Sequence, residues 1–231
     1  MASGPHPGAE GTLPPRPQHR RHTLLRIFLP SLSLKSPQTS RPAPLARLNR
    51  HFYLAAQTDN WMAVIDVASM TVVEKIETGE TPHPGSGATW SVGDVEYGAT
   101  VHAGEGKVTI WGLSTNEMAG TVETAGAGLF IRASDHSPYV WADAVYAEQP
   151  NVITVFEKEP PFEVVGVIEA GVRTLYPEFT DDGAFVYVSD WDGNVVRVYD
   201  AETLEQVAEI RDIVTPTGIF NVARRLETLG H

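Results

Sequence analysis

Two stretches of this 231-residue sequence, NWMAVIDVASMTVVEKI (60–76) and NVVRVYDAETLEQVAEI (194–210), match each other at equivalent positions without a gap. The matching positions lie 134 residues apart and hold the same residue in each case: Asn60 and Asn194, Val64 and Val198, Asp66 and Asp200, Val73 and Val207, Ile76 and Ile210. Between the two stretches, Val64 has further counterparts at Ile110 and Val155, at offsets of 46 and 91 residues. The chain from residue 51 onward is therefore a repeat with a period close to 45 residues.

Each repeat predicts antiparallel strands, because short runs of β-branched and aromatic residues alternate with Gly, Asn, Asp and Pro. The first unit offers three strands and the other units offer four. The predicted strands lie near 52–56, 61–66 and 71–77; 87–91, 97–102, 107–111 and 119–123; 128–132, 139–143, 151–156 and 163–168; 175–180, 185–189, 194–199 and 206–210. Four strands in each repeat of this length are typical of a β-propeller blade, so we predict an all-β propeller with about four blades.

The number of blades leaves two architectures open. Propellers close with about four to eight blades, so the chain forms either a small propeller or part of a larger one. An open part would leave blade edges free to pair with another chain. The five tryptophans are spread over the units, and we interpret all of them as core or inter-blade packing residues.

Charge divides the chain into two segments, residues 1–48 and residues 49–231. Residues 1–50 contain eight of the 17 basic residues and one of the 29 acidic residues, and nine of the 17 prolines lie in residues 1–48. We interpret residues 1–48 as disordered or non-native sequence and residues 49–231 as the propeller. The strongly acidic body excludes a nucleic-acid footprint.

Targeting, membrane and thiol signals are weak or missing in this sequence. RRHTLLRIFLPSLSL (20–34) suggests a targeting signal, but Arg26 and Pro30 interrupt it, so it is not a convincing signal peptide. No apolar run approaches the length of a membrane span. The chain has no cysteine, which excludes disulfides and thiolate metal sites.

The loop TPHPG (81–85) is the first candidate for a binding site. It follows the outer strand of unit one, and TPTG (215–218) follows the outer strand of unit four, again 134 residues later. The two loops are therefore expected on the same face, reaching toward the same axis. Pro84 restricts His83 to extended geometry, so His83 is either a ligand contact held on a stiff loop or a surface histidine in a tight turn.

The remaining histidines and acidic clusters favour structural interpretations. We expect His102 in the core or on the surface near the end of a strand, and His136 exposed in a turn. DWDGN (190–194) and TDDG (180–183) resemble calcium loops, but such clusters are more typical of hairpin turns, and no metal site is predicted.

Four motifs carry a family resemblance that covers about residues 49–222. TPHPGSGATW (81–90), AGLFIRASDHSPYVWAD (127–143), YPEFTDDGAFVYVSDWDG (176–193) and TPTGIFNV (215–222) resemble, in order and spacing, the C-terminal half of the heme d1-binding propeller of the cytochrome cd1 nitrite reductases and their relatives. The resemblance implies an eight-bladed propeller with heme d1 in its central channel and a periplasmic location. It also implies nitrite as a substrate, reduced to nitric oxide.

The resemblance assigns roles to five residues. His83 takes the position of a distal-pocket histidine that helps protonate nitrite, and Phe130 that of a residue packing near the d1 ring. Tyr176 falls where the reductases usually have glutamine against the cofactor. Thr217 and Gly218 fall in a segment that contacts it.

This sequence also departs from the reductase pattern. Ser86 replaces the arginine that usually follows HPG, as in propellers that finish or carry heme d1, and the iron-ligating histidine belongs to the half that precedes residue 49. The chain alone is therefore expected to bind heme d1 weakly unless a complementary propeller half or a second copy is supplied. Three functions stay open: a nitrite reductase, a dihydro-heme d1 dehydrogenase or other d1 assembly protein, and a non-catalytic propeller that binds a protein partner.

Overall fold

The computed structural model describes residues 51–56 and 58–219, which form fifteen β-strands in four antiparallel sheets. The predicted segment 1–48 lies outside the described residues, as do residues 220–222 of the last motif. Each sheet is a blade whose strands follow one another in chain order.

The strands are short and belong to consecutive blades. Blade 1 contains β1 (His51–Ala56), β2 (Trp61–Asp66) and β3 (Thr71–Glu77). Blade 2 contains β4 (Ala88–Val92), β5 (Val95–Val101), β6 (Lys107–Gly112) and β7 (Met118–Glu123). Blade 3 contains β8 (Ile131–Ala133), β9 (Tyr139–Asp143), β10 (Val152–Glu157) and β11 (Val164–Glu169). Blade 4 contains β12 (Thr174–Phe179), β13 (Phe185–Asp190), β14 (Val195–Asp200) and β15 (Gln206–Ile210).

The predicted fold is confirmed, including the three strands of the first unit and the four strands of each later unit. Strand β8 is the clearest difference, because it begins at Ile131 rather than near residue 128. The backbone N–H groups of Leu129 and Phe130 donate to a side chain, Asp143, instead of extending the ladder.

The blades are held together by apolar clusters that lie between neighbouring sheets. Met62 and Val64 of blade 1 pack with Trp111 of blade 2. Larger clusters join blade 2 to blade 3 and blade 3 to blade 4, with Trp90 in the first and Trp141 in the second. Burial of these faces supplies the main driving force for a repeat in which no single blade has a core of its own.

The packing prediction holds for three of the five tryptophans, because Trp90, Trp111 and Trp141 are buried in the apolar clusters. Trp61 is half-buried outside these clusters, with Lys75 Nζ 4.1 Å from the centre of its ring, and Trp191 is 37% exposed. Trp191 lies in the turn between β13 and β14 and belongs to none of the three apolar clusters.

The repeat extends to individual hydrogen bonds in the turns. In blade 1 the Asp66 carboxylate accepts the N–H of Ser69 at 2.8 Å, and in blade 4 the Asp200 carboxylate accepts the N–H of Thr203 at 2.8 Å. These two aspartates are one of the sequence-matched pairs. Similarity in sequence therefore reflects the same local structure at both ends of the described chain.

Residues 180–183 and 190–194 lie at hairpin turns, as predicted. Asp182 accepts the hydroxyl of Thr180 and the N–H of Ala184, which closes the first turn. Across residues 51–56 and 58–219, no group of three or more His, Asp or Glu side chains is arranged to hold a metal ion. In the same ranges, no helix is long and apolar enough to cross a membrane.

Candidate functional site

The first strands of blades 2, 3 and 4 contact one another, because β8 touches both β4 and β12. This is the arrangement expected of strands that line the axis of a propeller. His83 lies shortly before β4, Phe130 immediately before β8, and Tyr176 within the first half of β12. Three of the five predicted site residues therefore occupy the same end of three consecutive inner strands.

The TPHPG loop is fixed at both sides of His83. The Thr81 N–H donates to the Asn60 side-chain oxygen at 3.2 Å, and the His83 N–H donates to the Val101 carbonyl at 3.0 Å. Pro84–Ser86 then form a single turn of 3-10 helix. These contacts anchor the loop, but His83 has φ of −123° and ψ of 63°, so the extended geometry predicted from Pro84 is wrong for this residue.

The TPTG loop is anchored in the same way at the equivalent position. Its Thr215 N–H donates to the Asn194 side-chain oxygen at 2.9 Å. Thr81 and Thr215 both have left-handed backbone, with φ of 56° and 50°. Both loops therefore leave their blades with the same geometry, which supports the equivalence inferred from their spacing.

The hydrogen-bond partners of the His83 ring lie at Nδ1. Its Nδ1 lies 3.0 Å from the Leu129 carbonyl oxygen and 3.0 Å from Ser86 Oγ, and Ser86 Oγ also donates to that carbonyl. A carbonyl only accepts, so the bonding network assigns the proton to Nδ1. In the described part of the chain both hydrogen bonds of the ring use Nδ1, which leaves Nε2 available to a ligand.

An aromatic row runs from His83 across the inner strands. The ring centroids of His83 and Phe130 are 6.4 Å apart in an edge-to-face arrangement, and those of Phe130 and Tyr176 are 4.4 Å apart. All three residues are half-buried. We call His83, Phe130 and Tyr176 the aromatic row; the structure brings these three predicted residues together.

The Asp143 carboxylate accepts hydrogen bonds from the backbone of two members of the aromatic row, Phe130 and Tyr176. One oxygen accepts the Leu129 and Phe130 N–H groups at 2.8 and 3.1 Å, and the other accepts the Tyr176 N–H at 3.1 Å. Burial raises the pKa of Asp143 to about 6, although these backbone N–H groups act in the opposite direction.

Arg132 makes a second connection among the three blades. Its Nε donates to Glu178 Oε2 at 3.1 Å, and one terminal nitrogen donates to the Ser86 carbonyl at 2.9 Å. Its guanidinium carbon lies 5.0 Å from the centre of the Tyr176 ring, within cation–π distance. Arg132 and Glu178 are both nearly buried, and the bond to Ser86 together with this ion pair links the His83 loop to blade 4 through Arg132.

Thr217 and Gly218 are exposed. A Cβ built on Gly218 would meet nothing within 4 Å. No hydrogen bond described for residues 51–56 and 58–219 joins these two residues to the aromatic row. Their predicted role in cofactor contact stays a prediction.

His102 has a structural role in the core of the protein. It is fully buried, its Nε2 accepts the Gly79 N–H at 3.4 Å and the Thr109 hydroxyl at 3.0 Å, and its Nδ1 faces Glu105 at 3.2 Å. Burial lowers the pKa of His102 despite that neighbouring carboxylate. Both ring nitrogens are occupied, so the core interpretation fits. His136 is exposed in the turn between β8 and β9, as predicted.

A separate cavity of about 470 Å³ opens between the β4–β5, β8–β9 and β10–β11 turns, which lie at the opposite ends of the strands. Gly93, His136 and Lys158 are among its lining residues. Burial lowers the pKa of Lys158, whose ammonium group donates to the Ser134 carbonyl. None of the five predicted site residues lines this cavity.

The sequence-based prediction missed Asp143, Arg132 and the bonding of Ser86. One signal was present for Asp143: it ends the second strand of its blade, as Asp190 ends that of the next blade. Asp190 likewise accepts N–H groups from the residues that lead into its own blade, Val172 and Arg173. For Arg132 the sequence offered no pattern, since its partners lie on two other blades.

Two curated proteins are similar to most of this chain. The chain is 28% identical over 207 residues to a nitrite reductase of Stutzerimonas stutzeri, covering 75% of this chain and 37% of that protein. It is 29% identical over 166 residues to a dihydro-heme d1 dehydrogenase of Pseudomonas aeruginosa, covering 71% of this chain and 33% of that protein. The chain therefore spans about a third of the length of these curated relatives.

Solved structures agree with this relationship. The dihydro-heme d1 dehydrogenase NirN in complex with DHE superposes with a TM-score of 0.71 at 27% identity, over 77% of this chain and 38% of that chain. The β-propeller domain of Myceliophteria thermophila Cps50 (Swd1) superposes with a TM-score of 0.58 at 15% identity, over 73% of this chain and 55% of that chain, which reflects the fold alone.

The family model described as the cytochrome D1 heme domain matches residues 46–225. This range contains all four blades and the complete aromatic row. The chain belongs to the cytochrome D1 heme domain family.

Proposed function

We propose that residues 49–231 form a propeller that provides one wall of a heme d1-binding channel, with the aromatic row directed at the cofactor. The observation that carries this proposal is the placement of His83, Phe130 and Tyr176 at one end of three consecutive inner strands. Family membership and similarity to d1-related proteins support the same ligand.

The residues present fit a flat macrocycle. Phe130 and Tyr176 offer apolar ring surface, and the 6.4 Å and 4.4 Å spacings keep the row continuous. A Cβ on Gly85 would meet nothing within 4 Å, so open space adjoins the His83 loop. His83 Nε2 adds one polar atom, which matches the need of a tetrapyrrole site for flat apolar walls and few polar groups.

His83 is the residue that we propose to move protons. Reduction of nitrite to nitric oxide takes up two protons and one electron and releases water. Heme d1, when bound, supplies the redox-active iron of this chemistry. An imidazole can both donate and accept a proton, and Nε2 is the nitrogen from which His83 would do so, while its Nδ1–H keeps the ring oriented through Leu129 and Ser86.

A role in heme d1 assembly is the second candidate, and Ser86 favours it. Ser86 stands where reductases resembling this chain have arginine. It is buried and its hydroxyl is occupied by the Leu129 carbonyl, so it offers no cation to a ligand. Similarity to a dihydro-heme d1 dehydrogenase supports this alternative to the same extent as similarity to a nitrite reductase.

We propose that the remaining walls of the channel come from outside residues 51–219. A complementary propeller half or a second copy of the chain would supply them, in the periplasm that the family resemblance implies. Localisation of the tagged chain after cell fractionation checks the compartment, and a cytoplasmic signal alone would contradict it.

Absorption titration of the purified chain with heme d1 tests the proposal. Saturable binding, weak in the isolated chain, is expected, with an affinity that falls about tenfold in His83→Ala; that factor corresponds to the loss of one hydrogen bond to a charged or polar ligand. His136→Ala is the matched control, because this histidine is exposed in a turn at the opposite strand ends.

Equal affinity of both histidine variants would contradict the role of His83. Absence of any binding, together with capture of a protein partner that His83→Ala leaves unchanged, would support the non-catalytic propeller instead. Incubation with nitrite and an electron donor, or with the dihydro precursor of heme d1, separates the two enzyme functions.

A further inference from the structure

Asp143 occupies a special place in the repeat. It is the last residue of β9, it is fully buried, and its two carboxylate oxygens face two different blades. One oxygen accepts the N–H groups of Leu129 and Phe130 in its own blade, at 2.8 and 3.1 Å. The other accepts the N–H of Tyr176 in the next blade, at 3.1 Å.

The equivalent residues of the neighbouring blades do not make this connection. His102 ends the second strand region of blade 2, and its ring binds Gly79, Thr109 and Glu105. Asp190 ends the second strand of blade 4; one oxygen accepts N–H groups within that blade, and the other pairs with Arg197 at 3.1 Å. Among these three positions, Asp143 is the one whose side chain joins two inner strands.

The backbone conformation of Tyr176 depends on its hydrogen bond to Asp143 more than that of an ordinary strand residue would. Its φ of 62° is left-handed, a conformation that is unfavourable for a residue with a Cβ and persists where neighbouring groups hold it. The sheet register of β12 with β13 is also interrupted between Leu175 and Glu178, so Tyr176 lacks a regular ladder partner at this point. The Asp143 carboxylate provides the hydrogen bond that the ladder does not.

We propose that Asp143 is a positioning residue that sets the spacing of Phe130 and Tyr176, and thereby the shape of the ligand-binding wall. The inference rests on the proposed function for its consequence in binding, but the positioning itself concerns only residues of this chain. Because both aromatic backbones are tied to one carboxylate, a change in that group moves the two rings relative to each other.

Protonation is one such change. The titratable side chains on the strands that pack against Asp143 are Arg132 on β8, Glu157 on β10, and Tyr176 and Glu178 on β12, with Tyr139 on its own strand. Burial is the first cause of its raised pKa of about 6, and the opposing causes are backbone N–H groups rather than any of these side chains. A protonated Asp143 carries a hydrogen on one oxygen and has one strong acceptor fewer for the backbone N–H groups that surround it.

Amide NMR of the unliganded chain tests the positioning directly. The Phe130 and Tyr176 amide proton shifts are expected to titrate together between pH 4.5 and 7.5, with a midpoint near 6. In Asp143→Asn this shared transition should be absent, whereas in Asp190→Asn, the matched variant of the equivalent residue, it should remain. If the Asp143 carboxyl carbon shift titrates in this range and the two wild-type amides do not follow it together, the proposal is overturned, and this measurement needs no variant that folds.

Heme d1 affinity gives the second readout. Asp143→Asn is expected to weaken binding about tenfold at pH 7.5, and Asp190→Asn to change it less than about twofold. A coupled amide transition without any heme d1 binding in the wild-type chain would support Asp143 as the positioning residue and overturn the proposed ligand. Unchanged affinity in a folded Asp143→Asn chain would overturn the role of Asp143 in the pocket.

Discussion

His83 is held so that one ring nitrogen is committed to the fold and the other is not. Its Nδ1 faces the Leu129 carbonyl and Ser86 Oγ, both at 3.0 Å, and this shared bond joins the loop before β4 to the residue before Phe130. A side chain oriented in this way can present Nε2 to a ligand without the entropic cost of fixing a freely rotating ring. Ser86 therefore supports the orientation of His83 through its hydroxyl.

Ser86→Ala tests that support. The variant removes the hydroxyl that donates to the Leu129 carbonyl and accepts from His83, while leaving the size of the side chain nearly unchanged. We expect the free energy of unfolding to fall by about 1 kcal/mol, measured by urea denaturation, because one buried hydrogen bond is lost. Ser91→Ala, at an exposed position of β4, is the control and should change the stability little. An equal effect at the two serines would contradict the role of Ser86.

The left-handed backbone of Tyr176 yields a second prediction. Tyr176→Gly and Tyr176→Ala both remove the ring that packs against Phe130, but only glycine adopts a φ of 62° without strain. The glycine variant should therefore be more stable than the alanine variant by about 1 kcal/mol in urea denaturation. Both should lose heme d1 affinity to a similar extent. Identical stability of the two variants would contradict a strained backbone at this position.

The loops after β3 and β15 show most clearly that the repeat extends beyond the strands. Each is anchored by an asparagine side chain that accepts the N–H of a left-handed threonine, Asn60 with Thr81 and Asn194 with Thr215. The anchored residues lie just before Pro82 and Pro216, so each asparagine fixes the start of a stiff segment. The two loops therefore have the same anchoring hydrogen bond at equivalent positions, 134 residues apart.

Asn60→Gly and Asn194→Gly test whether both loops serve one pocket. Both asparagines have positive φ, 57° and 55°, so glycine keeps the backbone and removes only the anchor. Each variant should lower the free energy of unfolding by up to about 1 kcal/mol. Asn60→Gly should also weaken heme d1 binding, because it releases the loop that carries His83. A similar weakening in Asn194→Gly would support the predicted contact of Thr217 and Gly218, and its absence would contradict that contact.

The ion pair between β8 and β12 leads to a prediction about packing. Arg132 and Glu178 are nearly buried, so Arg132→Met removes the cation of a buried ion pair and should cost about 3 kcal/mol of unfolding free energy. Replacing both residues, as Arg132→Met with Glu178→Leu, should cost less than Arg132→Met alone. A double-mutant cycle by thermal denaturation gives the coupling, and strictly additive effects would contradict the pair as a link between blades.

The elements were largely predictable from the sequence, because strand length and turn composition recur with the repeat. The start of β8 could not be predicted, because the N–H groups of Leu129 and Phe130 bond to the Asp143 side chain instead of a neighbouring strand. The period of the repeat alone does not indicate such a bond. The same limit applies to the site. Spacing and family resemblance indicated His83, Phe130 and Tyr176, whereas the contacts of Arg132 depend on how three blades pack, which no local pattern expresses.

At the scale of the whole molecule, the described chain is a stack of sheets whose stability depends on the faces between blades. Three apolar clusters join four blades in sequence, and buried polar side chains add specific connections at one end of the inner strands. The aromatic row and its supports lie at that end, while the cavity near Lys158 lies at the other. The proposed ligand site and the packing between blades therefore use the same inner strands.

The buried carboxylate makes the stability of the whole fold depend on pH. The folded-state pKa of Asp143 is raised from 3.8 to about 6, so between these values the folded chain binds more protons than the unfolded chain. The contribution of Asp143 to stability is therefore greatest at low pH and decreases as the pH rises to about 6, by about 3 kcal/mol in total. Urea denaturation should show this as a change in the difference in unfolding free energy between the wild-type chain and Asp143→Asn. That difference should favour the wild-type chain by about 1 kcal/mol more at pH 5 than at pH 8. A pH-independent difference would contradict the raised pKa.

The position of heme d1 on the chain is the most direct test of the proposed wall. We expect a crystal structure of the chain prepared with excess heme d1 to show the macrocycle against Phe130 and Tyr176, with His83 Nε2 facing the ring. The same crystal should show the Asp143 carboxylate still bound to the backbone of both aromatic residues. A macrocycle found instead in the cavity near Lys158, or nowhere near the inner strands, would contradict the assignment of the aromatic row as the cofactor site.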